Sequence, residues 1–102
     1  MKIGTGISTQ LPSNMAALIF PRSGLSTKKG LRLANCVGLV DPDYRGEIKV
    51  ILINLSNENF VVNPGERIAQ LVVRHFEKVE WNEVATLDET ERGEGGFGHT
   101  GI

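Results

Sequence analysis

Short apolar runs separated by turn sequences constrain the fold of this chain more than any other feature. Over residues 3–9, Ile and Thr alternate with small or polar residues, which is the two-residue period of a half-buried strand. Turn sequences recur at intervals of about 8–12 residues, as is typical of all-β proteins. The further apolar runs that they separate are Met15–Phe20, Leu31–Asn35, Cys36–Val40, Ile48–Leu55, Ile68–Val73 and Val79–Val84. Only Ser23–Lys29 is compatible with a helical turn, so the sequence predicts an all-β sandwich or jelly roll.

The composition predicts one soluble globular domain. The 102 residues include 11 basic and 12 acidic side chains and 40% hydrophobic residues, which excludes a disordered, collagen-like or disulfide-rich chain. A net charge of -1 does not favour nucleic acid as a partner. No apolar stretch is long enough for a signal peptide or a membrane span, so no membrane partner is expected. Cys36, the single cysteine, lies in an apolar run and is predicted to be buried. A chain without an internal disulfide favours a reducing, cytoplasmic location.

The charges are divided unevenly between the two halves of the chain. Residues 1–50 contain seven basic and three acidic side chains, whereas residues 51–102 contain four basic and nine acidic ones. Opposite charges on one small domain suggest that a basic face and an acidic face each meet a partner, and contact between the two faces in an oligomer is one such arrangement. A domain of this size buries only roughly 60–70% of its unfolded surface, so oligomerisation would also add stability.

The last ten residues form a glycine-rich tail. The segment Gly93–Gly98 matches the pattern G-x-G-x-x-G, but only four residues follow it. The dinucleotide-binding fingerprint requires a helix at that point, so this interpretation is not favoured. Arg92, Phe97 and Thr100 supply a cation, a ring and a hydroxyl that could close over the phosphates and base of a nucleotide. A solvated, frayed terminus is the alternative.

Two other segments carry candidate chemistry. Pro21–Gly24 combines a guanidinium, a hydroxyl and a glycine backbone that could bind an anion, although short turns of this kind are common. Asp41–Glu47 joins two apolar runs and is a candidate hairpin. Its first carboxylate could act as a general base for water, and Tyr44 could form the wall of a sugar pocket. A turn that simply faces solvent is the alternative.

Four segments in a fixed order give the sequence a family resemblance. They are Pro-Arg-Ser-Gly at 21–24, Asn-Cys-Val-Gly-Leu-Val-Asp-Pro-Asp-Tyr-Arg-Gly-Glu at 35–47, Gly-Glu-Arg-Ile-Ala-Gln-Leu at 65–71 and Arg-Gly-Glu-Gly-Gly-Phe-Gly-His-Thr-Gly at 92–101. This series resembles motifs two to five of the trimeric deoxyuridine triphosphatases (dUTPases). The resemblance implies a jelly-roll subunit of the β-clip type and a homotrimer with active sites at its subunit interfaces. It also implies hydrolysis of dUTP to dUMP and pyrophosphate with Mg²⁺.

The resemblance also assigns roles to individual residues. Asp41 would be the general base that activates water for attack on the α-phosphorus, and Tyr44 would pack beneath the deoxyribose and exclude a 2′-hydroxyl. Phe97 would stack on the uracil. The other residues that the resemblance assigns to substrate are Arg22, Ser23, Gly24 and Gln70 at the phosphates, Asn35, Gly38, Leu39, Val40 and Lys49 at the base, and Arg92, Gly98 and Thr100 at the γ-phosphate.

The family pattern predicts a β domain over residues 1–91 and a glycine-rich lid over residues 92–102. The first motif of the family, Ala-Gly-x-Asp-Leu, normally precedes the strand at Ile3–Gln10 and has no match in this sequence. We therefore expect the N-terminal strands of the jelly roll to be missing and Mg²⁺ to bind through substrate phosphates and water. Two alternatives stay open. One is a catalytically impaired relative that binds a nucleotide or a partner, and the other is a relative of the dCTP deaminases, which lack the glycine-rich tail.

Overall fold

The computed structural model describes residues 1–101 and consists mainly of short strands. Six strands and one helix form in that range. In chain order they are β1 (Lys2–Gly4), β2 (Met15–Pro21), α1 (Ser23–Lys29), β3 (Leu31–Leu33), β4 (Gly38–Val40), β5 (Lys49–Asn54) and β6 (Ala69–His75). The predicted all-β class is therefore confirmed. Within residues 1–101, no helix reaches the length and hydrophobicity that a bilayer-spanning segment requires.

The strands form two three-stranded antiparallel sheets. One sheet has the order β1-β5-β3 and the other has the order β4-β2-β6. In the second sheet β2 is central, and it pairs with β6 along its whole length from Met15 to Pro21. The core joins the two sheets, because Ile19 of β2 packs in one cluster with Leu33, Val50 and Leu52 of the other sheet. The apolar faces predicted from the two-residue period therefore meet each other.

The helix α1 connects the two sheets and is longer than the single turn that the sequence predicts. It spans seven residues, Ser23–Lys29, and begins directly after Pro21 and Arg22 at the end of β2. It ends at Gly30, whose φ of 68° lies in the left-handed region and whose N–H bonds to the carbonyl of Leu25. Glycine suits this position because it adopts a left-handed backbone without steric cost. The helix thereby places Arg22 and Ser23 at one end of β2.

The most deeply buried large side chain is Leu33 of β3, which is 2% exposed. We expect Leu33→Ala to lower the free energy of unfolding by about 2–5 kcal/mol, because it removes buried methyl groups and leaves a cavity. Chemical denaturation at a fixed protein concentration measures the change. Val61→Ala is the matched control, since Val61 is 72% exposed, and it should change the free energy by less than about 0.5 kcal/mol. Equal effects of the two changes would contradict this view of the core.

The strand predicted at Ile3–Thr9 is regular only as far as Gly4. Gly6 has a φ of 73°, a left-handed conformation that interrupts the pleat. Pairing with the other sheet nevertheless continues, because the N–H of Thr5 bonds to the carbonyl of Ile48 at 3.1 Å and the N–H of Ile48 bonds to the carbonyl of Ile7 at 2.8 Å. The segment is therefore an irregular edge of the first sheet.

Three local predictions were wrong. Asp41–Glu47 is not a hairpin, because β4 and β5 lie in different sheets and the segment crosses between them. Cys36 is exposed rather than buried, since it lies in the turn between β3 and β4 with a φ of 62°. Val79–Val84 forms no strand in the described part of the chain, because no neighbouring strand pairs with its backbone.

Residues 77–91 form an extended arm. Every residue of this arm is exposed, and Trp81 is 94% exposed. No backbone hydrogen bond joins the arm to the rest of residues 1–101. The radius of gyration is 19.1 Å, compared with about 13 Å expected for a compact domain of this length. The arm therefore carries the glycine-rich tail away from the core of its own chain.

Candidate functional site

A small cavity forms where the turn before β4 meets the start of β5. It has a volume of about 90 Å³. The predicted nucleobase residues that line it are Asn35, Gly38, Leu39, Val40 and Lys49. A Cβ on Gly38 would lie 3.2 Å from the Cβ of Ile19 and 3.3 Å from Nδ2 of Asn35. Glycine therefore lets β4 approach the core strand β2 while Asn35 stays at the cavity. These five predicted nucleobase residues therefore come together here, whereas Phe97, the residue predicted to stack on the uracil, does not line this cavity.

A larger cavity of about 270 Å³ adjoins the first one. Asp41 and Tyr44 line it, and Leu39, Val40 and Lys49 line both cavities. The structure therefore places the predicted general base and the predicted sugar wall beside the nucleobase residues.

Two further residues that line the larger cavity, Lys2 and Glu47, were missed by sequence reasoning. Lys2 reaches it because Lys2 pairs with Ile51 and Gly4 pairs with Lys49 in the register of β1 and β5. The carboxylate of Glu47 lies against Gly4, where a Cβ would crowd it. Nothing in the sequence specifies this strand register, so the only available signal was that Glu47 falls within the 35–47 segment.

The turn Asp41–Tyr44 holds the carboxylate and the ring in one short unit. The N–H of Tyr44 bonds to the carbonyl of Asp41 at 3.2 Å, and Pro42 occupies the second position, where its fixed φ suits a turn. Arg45 Nη1 donates a 2.7 Å hydrogen bond to the carbonyl of Pro42. The hydroxyl of Tyr44 donates a 2.9 Å hydrogen bond to the carbonyl of Glu47. Bonds within the segment therefore fix the turn.

A second group of predicted residues lies where β2 ends and β6 begins. Gln70 pairs with Phe20, and its Nε2 donates a 3.1 Å hydrogen bond to the carbonyl of Pro21. Arg22 Nη1 donates a 3.1 Å hydrogen bond to the carbonyl of Arg67. Ser23 and Gly24 follow Arg22 in the first turn of α1. The structure therefore brings together four of the residues predicted to bind phosphate: Arg22, Ser23, Gly24 and Gln70.

The two groups lie at opposite ends of β2. Val40 pairs with Ala17, so the next residue, Asp41, lies beside Ala16 near the beginning of the strand. Arg22 follows the last residue of the same strand, six residues beyond Ala16. At about 3.3 Å per residue, roughly 20 Å separate Asp41 from Arg22 along the strand. One chain alone therefore does not bring the predicted phosphate-binding residues Arg22 and Gln70 to its own Asp41.

The glycine-rich tail forms a third, separate unit. It folds through consecutive turns in which the N–H groups of Gly95, His99 and Gly101 bond to carbonyls three residues earlier, at 3.2, 3.1 and 2.9 Å. The guanidinium of Arg92 donates to the carbonyl of Gly95. The ring of Phe97 is fully exposed. Arg92, Phe97, Gly98 and Thr100 therefore share the tail, and none of them lines the two cavities described above.

A short turn before β6 holds the carboxylate of Glu66 between two hydrogen bonds. Glu66 accepts hydrogen bonds from Nδ2 of Asn63 at 2.9 Å and from the N–H of Asn63 at 3.2 Å. The side-chain bond, followed by the backbone bond, lowers the pKa of Glu66 below its ordinary value of 4.5. The turn therefore carries an interaction that favours the charged carboxylate.

We expect Asn63→Ala to raise the pKa of Glu66 toward 4.5, because it removes the larger of the two hydrogen-bond effects that lower this pKa. Since the folded pKa lies below the ordinary value, this bond stabilises the protein above pH 4.5, and its contribution is lost as the pH falls through the lowered pKa. Carbon-detected NMR titration measures the pKa directly. Asn57→Ala is the control and should leave the pKa of Glu66 unchanged, while an unchanged value in Asn63→Ala would contradict the assignment.

Comparison with known proteins identifies the family. The dUTPase family model matches residues 2–101. The protein named deoxyuridine 5′-triphosphate nucleotidohydrolase in Finegoldia magna is 52% identical over 99 residues, which cover 97% of this chain and 69% of that protein. The chain belongs to the dUTPase family. The protein of the same name in Rickettsia bellii is 55% identical over 100 residues, covering 98% of this chain and 67% of the relative. The four motifs and the assignment to the dUTP diphosphatases are thereby confirmed.

Solved structures show that the dUTPase fold is shared as well. The crystal structure of dUTPase from Streptococcus mutans superposes with a TM-score of 0.72 at 28% identity, covering 79% of this chain and 74% of that one. A Staphylococcus bacteriophage 80alpha dUTPase bound to dUPNHPP gives a TM-score of 0.79 at 25% identity, covering all of this chain and 76% of the phage protein. The two sheets described above are therefore the jelly-roll sheets of a dUTPase, as the motifs predict.

Proposed function

We propose that the chain hydrolyses dUTP to dUMP and pyrophosphate, with Asp41 as the general base. The observation that carries this proposal is the pair of adjoining cavities, which places Asp41 and Tyr44 next to the five predicted nucleobase residues. Membership in the dUTPase family supports the substrate, and a structurally similar phage dUTPase was solved with dUPNHPP.

Recognition of the base follows from the position of β4 in its sheet. β4 is an edge strand, paired on one side with β2, so its other side presents unpaired backbone N–H and C=O groups. In the proposed site those backbone groups among Gly38, Leu39 and Val40 that face away from β2, together with the amide of Asn35, form hydrogen bonds with the edge of uracil. A site built from such bonds rejects bases with a different donor and acceptor pattern, because its own polar groups would be left unpaired.

The chemical step uses the turn beside the base. Asp41 accepts a proton from water while the water oxygen forms a bond to the α-phosphorus. The bond between the α-phosphorus and the bridging oxygen breaks, and pyrophosphate leaves with that oxygen. Positioning and charge stabilisation account for most of the catalysis in phosphoryl transfer, so a single placed carboxylate is sufficient. Tyr44 lies beneath the deoxyribose and leaves no space for a 2′-hydroxyl.

We propose that Mg²⁺ enters with the triphosphate. Residues 1–101 contain no group of three or more His, Cys, Asp or Glu side chains that could hold a metal ion. Mg²⁺ commonly binds to phosphate oxygens and water with few protein ligands. The described residues therefore fit a metal ion that is bound mainly by the substrate phosphates. When bound, the ion neutralises charge on the phosphates. Arg22 and Ser23 would hold the phosphate oxygens themselves, so that the protein and the ion would share the charge of the triphosphate.

We also propose a homotrimer in which each site is shared. The single chain exposes 8778 Å², compared with about 5,700 Å² expected for a compact monomer of 11.1 kDa. Leu71, Val72 and Val73 of β6 are 43%, 39% and 41% exposed, although neighbouring residues in a strand point to opposite faces. Apolar side chains are therefore exposed on both faces of β6, as expected for a strand that packs against another subunit.

The residues around Asp41, the residues around Arg22 and the glycine-rich tail lie apart in one chain, and this separation supports the same assembly. Asp41 and Arg22 lie roughly 20 Å apart in one chain by strand rise, and the tail is carried away by the arm. In the proposed trimer, one subunit supplies the phosphate-binding residues Arg22 and Gln70. A second subunit supplies the two cavities and Asp41. The third supplies the tail with Phe97 as a lid.

Pyrophosphate release tests the proposed function. The purified chain is incubated with Mg²⁺ and either dUTP, UTP or dCTP, and pyrophosphate is measured. We expect release from dUTP at a rate that far exceeds the rates with the other two nucleotides. No release from dUTP at high protein concentration would contradict the enzymatic proposal. Binding of a non-hydrolysable dUTP analogue without release would instead support the alternative of a nucleotide-binding relative that is catalytically impaired.

A further inference from the structure

Gly46 lies against the ring of Tyr44 with no space for a side chain. A Cβ built on Gly46 would overlap Oη of Tyr44, and would lie 2.6 Å from Cζ and 3.0 Å from Cε1 of the same ring. Real Cβ atoms essentially never approach other heavy atoms closer than 3.0 Å. The φ of Gly46 does not lie in the left-handed region. Glycine is therefore needed here for the space that it leaves, not for its backbone freedom.

Two hydrogen bonds fix Tyr44 in this position. The ring hydroxyl donates a 2.9 Å hydrogen bond to the carbonyl of Glu47, and the backbone N–H of Tyr44 closes the turn with Asp41. Tyr44 is 44% exposed, and its open side lines the 270 Å³ cavity. The end of the ring thus lies close to Gly46, and the Glu47 carbonyl accepts a hydrogen bond from its hydroxyl.

We propose that Gly46 is a positioning residue on which the selection of the sugar depends. It acts through Tyr44, because the absence of a side chain at position 46 lets the ring occupy the position from which it contacts a deoxyribose and excludes a 2′-hydroxyl. This inference rests on the proposed function, in which Tyr44 lies beneath the sugar. With a Cβ at position 46 the ring would have to shift away from this position, and with it from its hydrogen bond to the Glu47 carbonyl.

Gly46→Ala is the direct test. Values of kcat/KM are measured for dUTP and for UTP. We expect the ratio of the two values to fall at least tenfold, because dUTP is the substrate that uses the contact with the ring, and a pocket that fits or rejects one small group discriminates by about 10–200-fold. Circular dichroism and light scattering show whether the variant keeps its fold and subunit mass.

The variants Tyr44→Ala and Tyr44→Ala/Gly46→Ala complete a double-mutant cycle. If Gly46 acts through the ring, adding Gly46→Ala to Tyr44→Ala should leave the dUTP to UTP ratio unchanged. A merely structural role would lower activity by the same factor in both backgrounds, and that result would overturn the inference. If Gly46→Ala alone does not fold, folding of the double variant supports the clash with the ring, whereas failure of both variants contradicts it.

The outcomes separate this inference from the proposed function. A wild-type protein that prefers dUTP, together with a Gly46→Ala variant that keeps the full preference, overturns the role of Gly46 alone. A wild-type protein that does not distinguish dUTP from UTP overturns both the proposed sugar contact and the inference that depends on it.

Discussion

Asp41→Asn is expected to lower kcat for dUTP by about 10²–10⁴-fold, the range that a positioned general base contributes. Asparagine has nearly the same shape as aspartate but cannot accept the proton of the attacking water. The turn should survive, since the bond that closes it joins the N–H of Tyr44 to the backbone carbonyl of residue 41. Steady-state kinetics measure kcat, calorimetry with a non-hydrolysable dUTP analogue measures binding, and light scattering measures subunit mass. Only kcat should change.

Asp43→Asn is the matched control. Asp43 lies two residues beyond Asp41 in the same turn and is exposed, but it lines neither of the two cavities. Removing its charge should leave kcat close to that of the wild type. If Asp41→Asn retains turnover, or if both changes reduce kcat equally, the assignment of Asp41 as the base is wrong.

Removal of residues 92–102 is expected to lower kcat/KM for dUTP by about 10²-fold or more. The deletion takes away a guanidinium and an aromatic ring that would close over the substrate, and one preorganised charge-stabilising donor alone can contribute 10²–10³. The subunit mass should not change, because the hydrogen bonds of the tail lie within residues 90–101. Light scattering and kinetics on the same sample measure both quantities. Loss of the trimer would show that the tail is structural.

A mixing experiment provides the control for the deletion. Asp41→Asn subunits keep an intact tail, and tail-deleted subunits keep Asp41. In the proposed trimer the two features reach a site from different chains, so mixed trimers contain some complete sites. Unfolding and refolding the two variants together should therefore restore part of the activity that each lacks alone. Activity no higher than that of the separate variants would contradict sharing of the site between subunits.

The sequence predicts strands well where the apolar run is long and its partner lies within the chain. Met15–Phe20 and Ile68–Val73 become β2 and β6, which pair along their full lengths. The sequence predicts strands poorly where the presence of a neighbouring strand decides whether a segment becomes one. Val79–Val84 alternates like a strand, yet nothing in residues 1–101 pairs with it. Two-residue periodicity describes which faces a strand would have, and it carries no information about the presence of a neighbour.

In the candidate site, too, local features are predicted from the sequence, whereas features that depend on strand pairing are not. The motifs predict which residues cluster around Asp41, because Asn35 to Tyr44 are close in sequence and the turn is local. They do not reveal that Arg22 lies at the other end of β2, since that depends on the register in which β4 pairs. Lys2 reaches the cavity through a second register, between β1 and β5. The two-residue pattern restricts the register of a strand, because a slip of one residue would turn its apolar side chains to the other face, but it does not show which distant strand becomes the partner.

The arm over residues 77–91 has a genetic consequence. No backbone hydrogen bond within residues 1–101 ties it to its own core, so in the proposed trimer each chain gives its last residues to another copy. A subunit that lacks its tail then inactivates a site whose other residues come from intact subunits. In a cell that makes intact and tail-less versions together, we expect the defective allele to be partly dominant. Two alleles damaged in different segments should complement each other.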